Sequence, residues 1–447
     1  MKGQSIVVLG AGLVGSLMAT YLARRQFQVQ IFEKRPDMRT LDIDNGRSIN
    51  LALSHRGLKA LKQVGVLSEV SKICLPMKGR MMHDTEGNLT FQPYGKEGQF
   101  INSVSRTQLN AILLNAAETN GVRIHFQEEC LGAEPDMGTT YLAGKLGRHE
   151  VHSSYIIGAD GAYSGLREAL RKTDRFNFSQ YYLPHGYKEL TIPAKSGDFA
   201  LNPEALHIWP REQFMLIALP NLDRSFTCTL FLPFQGKVSF ESLATRERVS
   251  DFFQKTFKDV VDLMPDLLDD FFEHPTSSMV TIRCEPWKKG KALLVGDASH
   301  AIVPFYGQGM NAGFEDCRLL DAAIVHSEGN LEQAFDEFQL SRIPDANAIA
   351  DLALANFVEM RDLVADQEFL LRKKIELRLS KLYPDSWIPL YSRVTFSDQR
   401  YSEAQRIGLI QRKIMDQVMN DPSVTTDWET RDFSGVIKDL KAQAGLP

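Results

Sequence analysis

The sequence predicts an α/β protein. A Rossmann-like domain drawn from residues 1–73, 101–180 and 285–340 is interleaved with an antiparallel-sheet domain from 74–100 and 181–284, and a C-terminal helical region follows over 341–447. Three observations predict this. Apolar runs of strand length that end in glycine and lead towards helix-periodic segments recur near residues 5, 155 and 293. From about residue 181 the runs shorten, alternate and are separated by turn residues such as Pro220-Asn221, as in an antiparallel sheet. From Leu331 onward the pattern is almost all helical, interrupted at Pro384 and Pro389.

With 447 residues, 43% of them hydrophobic and 24% charged, the chain is long enough for two or three packed units and too apolar to be disordered. A formal net charge of −5 gives no support for nucleic acid or an anionic membrane as main partner. Five cysteines (Cys74, Cys130, Cys228, Cys284, Cys317) are scattered without C-x-x-C spacing, which argues against a zinc site or a disulfide framework and fits a reducing compartment. No metal ligand set is read. The start runs almost directly into a strand, and no apolar run reaches the roughly 18 residues of a membrane span. A cytoplasmic enzyme is expected. The amphipathic Phe369–Ile375 run leaves peripheral attachment to a membrane surface open.

In chain order, the run Ser5–Leu9 ends in Gly10-Ala11-Gly12-Leu13-Val14-Gly15, then a helical pattern of Leu17, Met18, Tyr21 and Leu22. The second run, Val29–Phe32, ends in Glu33, followed by Lys34 and Arg35. Glycines at this spacing permit a tight turn and close approach of a pyrophosphate to the helix N-terminus, and an acid about 20 residues on takes a ribose hydroxyl. The competing reading is a merely tight strand–helix turn. The fingerprint alone leaves FAD and NAD(P) open. Tyr155–Gly158 continues into Ala159-Asp160-Gly161, with Ser164 and Arg167 opening the next helix. Leu293-Leu294-Val295 ends in Gly296-Asp297, and a Gly-rich turn through Pro304-Phe305-Tyr306-Gly307-Gln308-Gly309 leads into a helix from Met310-Asn311 to Asp316 and beyond. Phe252, Phe253 and Phe257 stand at helical spacing and read as core. Lys78–His83 and Leu89–Gln92 flank Asp84–Asn88, a hairpin with Gly87 in its turn, which brings Arg80 and Tyr94 near one another. A guanidinium takes a carboxylate bidentately and a phenol adds a hydrogen bond, although on its own Arg80 reads as a strand arginine. Composition alone makes Arg47, in Gly46-Arg47-Ser48-Ile49, a plain arginine before a strand, and Arg106 a helix-start arginine making a surface pair.

The glycine fingerprint, the Asp160-Gly161 motif and the long match from Gly296 to Asp316 (G-D-A-x-H-x-x-x-P-x-x-G-x-G-x-N-x-x-x-x-D) together resemble the FAD-dependent aromatic hydroxylases of the para-hydroxybenzoate hydroxylase fold. Within them, Gly46–Leu53, Met77–Met81, Gln92–Gly95, His185–Leu190, Leu206–Pro210, Leu219–Thr227 and Asn356–Met360 are similar to the kynurenine-hydroxylating enzymes, with matches as far as about residue 401. The resemblance implies non-covalent FAD held by Gly10, Gly12, Leu13, Val14, Gly15, Glu33, Lys34 and Arg35, and by Arg47, Ala52, Arg106, Cys130 and Asp160. It adds Asp297, Pro304, Gly307, Gln308, Gly309, Met310 and Asn311. It implies a pocket for L-kynurenine from Arg80, Tyr94, Asn356 and Tyr401, with Phe305, Tyr306 and Gly307 as a wall. The relatives it resembles carry Phe or His where this chain has Tyr306, so the resemblance implies no polar role there.

The implied reaction, a step of tryptophan catabolism leading towards NAD, is reduction of FAD by NADPH, addition of O2 and transfer of the distal oxygen of a flavin hydroperoxide to give 3-hydroxy-L-kynurenine. The aniline nitrogen already activates the ring, so no catalytic general base is assigned. NADPH, O2 and L-kynurenine are the expected small-molecule partners, and a homodimer is admitted. No second glycine fingerprint stands in a strand–helix setting, so NADPH is expected to bind transiently. Rival readings are a flavin hydroxylase or epoxidase for another ring, and a FAD-binding scaffold without turnover. A halogenase is disfavoured because Trp387-Ile388-Pro389 is only a fragment of its signature.

Overall fold

The glycine-terminated apolar runs lie side by side. In the computed structural model, which describes residues 3–40, 50–96, 98–362 and 367–446, a six-stranded sheet has the order Lys288–Lys289, Ala292–Leu294, Tyr155–Gly158, Ser5–Leu9, Gln28–Glu33 and Arg123–Phe126. All neighbours are parallel except Lys288–Lys289 with Ala292–Leu294. Parallel strands need both faces covered, and their near-continuous apolar runs reflect it. Ile6, Val8, Ile31, Ile156, Ile157, Leu293 and Leu294 are at most 1% exposed. The helices Leu13–Arg24, Arg106–Thr119 and Gly309–His326 share the same core through Leu17, Leu113 and Phe314.

The second large sheet has seven strands: Ser277–Glu285, Asn177–Ile192, Phe226–Pro233, Phe214–Pro220, Ala205–Arg211, Gly79–His83 and Leu89–Pro93. The expected hairpin forms, with Gly87 at φ +85° in its turn. It joins the sheet in parallel beside Ala205–Arg211, the one parallel joint in an otherwise antiparallel sheet. The hairpin comes from about 120 residues earlier in the chain, and a crossover of that length permits parallel pairing where a tight turn does not. Phe253 and Phe257, with Phe252 beside them, pack on this sheet's outer face as core. Cys74–Met77 pairs instead with Ile101–Ser105, which also carries Asn50–Leu53, in a three-stranded sheet. A further small sheet, Glu129–Glu134 with Thr139–Gly144 and Gly147–His152, was not anticipated.

The C-terminal region is helical: Leu331–Asp362, with Pro344 inside it, then Gln367–Leu382, Leu390–Thr395, Tyr401–Met419, Val424–Asp427 and Ser434–Ala444. Its inner residues, among them Ile349, Ala353, Phe357, Val394 and Tyr401, close over Phe231, Phe305 and Tyr306. No helix among the described residues is long and apolar enough to cross a membrane, and they include no His/Cys/Asp/Glu group suited to a metal ion.

Candidate active site

The Gly-rich turn after Ser5–Leu9 is fixed by packing. Gly10 takes φ +96°, and a Cβ there would stand 2.6 Å from the Ala159 carbonyl oxygen, while one on Gly15 would stand 2.0 Å from that of Gly10. Gly12 is the opposite case: a Cβ meets nothing within 4 Å, so its backbone faces open space beside the helix N-terminus. Glu33, 5% exposed, accepts the Ala11 N–H at 2.8 Å and the Arg35 N–H and Nε at 2.9 and 2.8 Å. Burial opposes its charge, yet the Arg35 guanidinium and these N–H groups hold the carboxyl below the usual range. Lys34 is exposed. Asp160 receives the Leu166 N–H at 3.2 Å, while its Oδ1 is buried without a hydrogen-bond partner, and burial raises its pKa. Cys130 abuts Gly165 at the start of the following helix, and burial pushes its thiol up to about 12.

Gly296–Asp316 is held from behind. Asp316, 0% exposed, accepts the Gly296 N–H at 2.9 Å, His300 Nε2 at 2.6 Å and Arg342 Nε at 2.7 Å. Against the cost of burial, His300 and Arg342 keep its carboxyl below the usual range. Asn311 donates to the carbonyls of Ala52 and Gly307 at 2.8 and 2.9 Å and accepts the Ser54 N–H at 2.9 Å, which ties the turn to the strand Asn50–Leu53. Asp297 has no such support: no hydrogen bond reaches its carboxylate among the described residues. It lies deep in the molecule, where burial raises its pKa and His300 and Arg106 pull it down, yet it is open to the cleft. Arg106, exposed at the start of its helix, makes no ion pair among the described residues. Half-buried Met310 and Gly309 begin the helix whose N-terminus points at this space. An open backbone cradle at Gly12, an acid at Asp297 with no hydrogen bond among the described residues and an exposed cation at Arg106 fit a dinucleotide with ribityl hydroxyls and a pyrophosphate. Arg47 lies outside the described residues.

The second half of the site is aromatic. Arg80 alternates with His83 along its strand, so the two side chains leave opposite faces. On the inner face the Arg80 guanidinium carbon sits 4.6 Å from the Tyr391 ring centroid and 5.6 Å from that of Tyr94. Tyr391 stacks on Tyr94 at 5.6 Å and on Tyr306 at 5.5 Å. The Tyr94 hydroxyl is buried with no hydrogen-bond partner, and no carboxylate pairs with Arg80 among the described residues. Phe305 packs on Phe357 and Phe231 at 4.5 and 4.9 Å, and Asn356 donates to the Phe305 carbonyl at 2.7 Å. Burial pushes the Tyr306 phenol far above its usual range, so it stays protonated beside Arg80.

Tyr401 is corrected. It does not reach the pocket: it is 0% exposed, its hydroxyl donates to Gln308 Oε1 at 2.9 Å, and its ring lies 3.9 Å from the Arg56 guanidinium carbon. The further aromatic residue beside Arg80 is Tyr391, whose ring the guanidinium overlies and which the sequence did not single out. Its signal was a tyrosine two residues after Pro389, at the start of the short helix Leu390–Thr395.

On the sheet's far face His83 contacts Asp259 Oδ2 through Nδ1 and His207 Nδ1 through Nε2, each at 2.8 Å. His207 Nε2 donates to the Asn202 carbonyl at 2.9 Å, and Trp209 Nε1 donates to Asp259 at 2.8 Å. Burial lowers the pKa of His207 to about 4.

The chain matches the FAD binding domain family over residues 4–351. It is 46% identical to a kynurenine 3-monooxygenase of Christiangramia forsetii, covering 98% of this chain and 99% of that one. The figures are 49%, 93% and 91% for the enzyme of that name from Myxococcus xanthus, and 46%, 93% and 88% for that from Sus scrofa. Among solved structures, the tetrameric form of 2-methyl-3-hydroxypyridine-5-carboxylic acid oxygenase superposes with a TM-score of 0.68 at 19% identity, covering 83% of this chain and 96% of that one. PqsL of Pseudomonas aeruginosa, in complex with 2-aminobenzoylacetate, superposes at 0.65 and 19% identity, covering 80% and 97%. At that identity the likeness is one of fold.

Proposed function

The chain belongs to the kynurenine 3-monooxygenase family of FAD enzymes, and from that premise we propose that it hydroxylates L-kynurenine to 3-hydroxy-L-kynurenine with NADPH and O2. The observation that carries the substrate is Arg80. An enclosed guanidinium costs several kcal/mol in desolvation, whereas aromatic contacts return about 0.5–2 kcal/mol each. Tyr94 and Tyr391 offer it rings and hydroxyls but no full negative charge, and an anionic group on the ligand would supply one. An α-amino acid carboxylate meets that need, and the orphaned Tyr94 hydroxyl can donate to it.

FAD, when bound, supplies the electron acceptor for NADPH and the activation of O2. The residues of this chain do the rest. Gly12 and the helix N-terminus beside it would face the pyrophosphate, with Arg106 as counter-charge, and Glu33 would meet the ribose. Asp297 would accept from ribityl hydroxyls. Phe305, Tyr306 and Phe357 exclude water, and Arg80, Tyr94 and Tyr391 set where the aniline ring lies. No side chain is asked to take a proton from the ring before oxygen transfer, since the aniline nitrogen already makes it electron-rich. The free state of all five cysteines agrees with a reducing compartment such as the cytoplasm.

Stopped-flow reduction by NADPH tests this reading. L-kynurenine should accelerate reduction strongly and emerge as 3-hydroxykynurenine. Reduction indifferent to L-kynurenine would point to another ring substrate, and no reduction at all to a scaffold.

A further inference from the structure

The reassignment of Tyr401 leaves a fully buried tyrosine with an elaborate setting and no role in the pocket. Its ring lies 3.9 Å from the Arg56 guanidinium carbon and 5.3 Å from that of Arg342. Arg56 and Arg342 bind the two oxygens of Glu315 at 2.6 and 2.8 Å, and Arg342 also binds Asp316 at 2.7 Å. All four charged residues are at most 2% exposed, and their charges cancel. Arg56 also donates to the carbonyls of Val394 and Gln399, so both flanks of the segment leading to Tyr401 are tied to the same cluster. The backbone of the next residue is fixed too, because Asp345 accepts the Ser402 N–H at 3.0 Å and its hydroxyl at 2.6 Å. The phenol thus has one place to point, and it points at Gln308. Gln308 is 1% exposed and precedes the helix Gly309–His326. Its Oε1 accepts from Tyr401 at 2.9 Å, and its Nε2 donates to Ser54 Oγ at 3.4 Å.

We infer that Tyr401 is a positioning residue: through Gln308 it fixes the turn 304–309, so the C-terminal helices determine how the backbone meets the isoalloxazine ring. The inference rests on the FAD hydroxylase reading for its consequence, but its structural core requires only that FAD binds beside this turn. A phenylalanine would leave the Gln308 oxygen buried without a donor. The turn would then either relax towards a new partner or carry the cost of an unsatisfied acceptor.

The test is a titration of apoprotein with FAD, followed by flavin fluorescence quenching, alongside binding of L-kynurenine to the holoprotein. Tyr401→Phe should weaken FAD about tenfold and perturb the visible flavin band, while L-kynurenine affinity stays within about twofold. Gln308→Ala should produce a similar loss, and the double variant should be no worse than either single one. If Tyr401→Phe folds poorly, the Gln308→Ala arm and the melting temperatures still decide: a lower melting temperature with normal FAD affinity in every folded variant makes the contact structural only and overturns the inference. So do additive losses in the double variant. A fall in L-kynurenine affinity with FAD affinity intact also overturns it and returns Tyr401 to the substrate pocket. Failure of the wild-type protein to convert L-kynurenine would sink the substrate reading and leave the FAD titration interpretable.

Discussion

Two neighbouring regions treat their polar groups in opposite ways. Behind the turn Gly296–Asp316, both oxygens of Asp316, both ends of the Asn311 amide and both ends of the Gln308 amide have protein partners. In the aromatic pocket, Arg80 pairs with no acid among the described residues, and the polar group beside the Tyr94 hydroxyl is Arg80 itself. In the turn the polar groups are held by the protein, whereas in the pocket Arg80 is left for a ligand to meet. Asp297 sharpens the distinction because it stands inside the first region and yet belongs to the second: its neighbours are saturated, and its own carboxylate faces the cleft.

The largest test of that contrast is Arg342→Met. It leaves Glu315 with Arg56 alone and Asp316 with His300 and the Gly296 N–H, a net negative buried cluster, and loss of one partner from such a cluster costs about 3–5 kcal/mol. Denaturant unfolding should show this loss together with weakened FAD retention, because Asp316 holds the Gly296 N–H. The same kind of change at Arg80 should act elsewhere. Arg80→Met should leave the unfolding free energy within about 1 kcal/mol of wild type, since no acid is stranded, and FAD should stay bound. Substrate binding should lose about 2–4 kcal/mol, roughly 30- to 1000-fold in the L-kynurenine dissociation constant.

The far face of the Arg80 strand belongs to the saturated class, and pH reports on it. His207 titrates near 4 when folded and near 6.5 when not. Its contribution to stability is therefore fully present above about pH 6.5 and is lost as pH falls towards 4. His207→Gln should shrink the stability difference between pH 7 and pH 4.5 by up to about 3 kcal/mol, with little change in substrate affinity at pH 7. Equal pH dependence in wild type and variant would remove His207 from that account. The smallest effect is expected at Tyr94→Phe, where an orphaned hydroxyl is deleted. L-kynurenine should bind about fivefold more weakly, roughly 1 kcal/mol, with a melting temperature unchanged or slightly raised.

Much of this arrangement was legible in the sequence, and the exceptions share one cause. Gly10–Gly15 with Glu33, the Asp160-Gly161 step and the turn before Met310 are local: turn chemistry and period place them without knowledge of the fold. The Arg80 hairpin was legible for the same reason. What the sequence hid was long-range. The parallel joint between the hairpin and Ala205–Arg211 depends on which sheet edge is free. The choice between Tyr391 and Tyr401 depends on how two helices more than 300 residues away from Arg80 in the chain settle against it. No spacing rule distinguishes a tyrosine that faces the pocket from one that braces the wall behind it.

Arg80, which pairs with no acid among the described residues, is assigned to the carboxylate of an amino-acid substrate. Calorimetric titration of the FAD-loaded protein with L-kynurenine and with the amine that lacks its carboxylate, each into wild type and Arg80→Met, tests it most directly. Wild type should prefer L-kynurenine by roughly 30-fold or more, and Arg80→Met should bind the two with nearly equal, weak affinity. A preference for the carboxylate that survives in Arg80→Met would contradict the account.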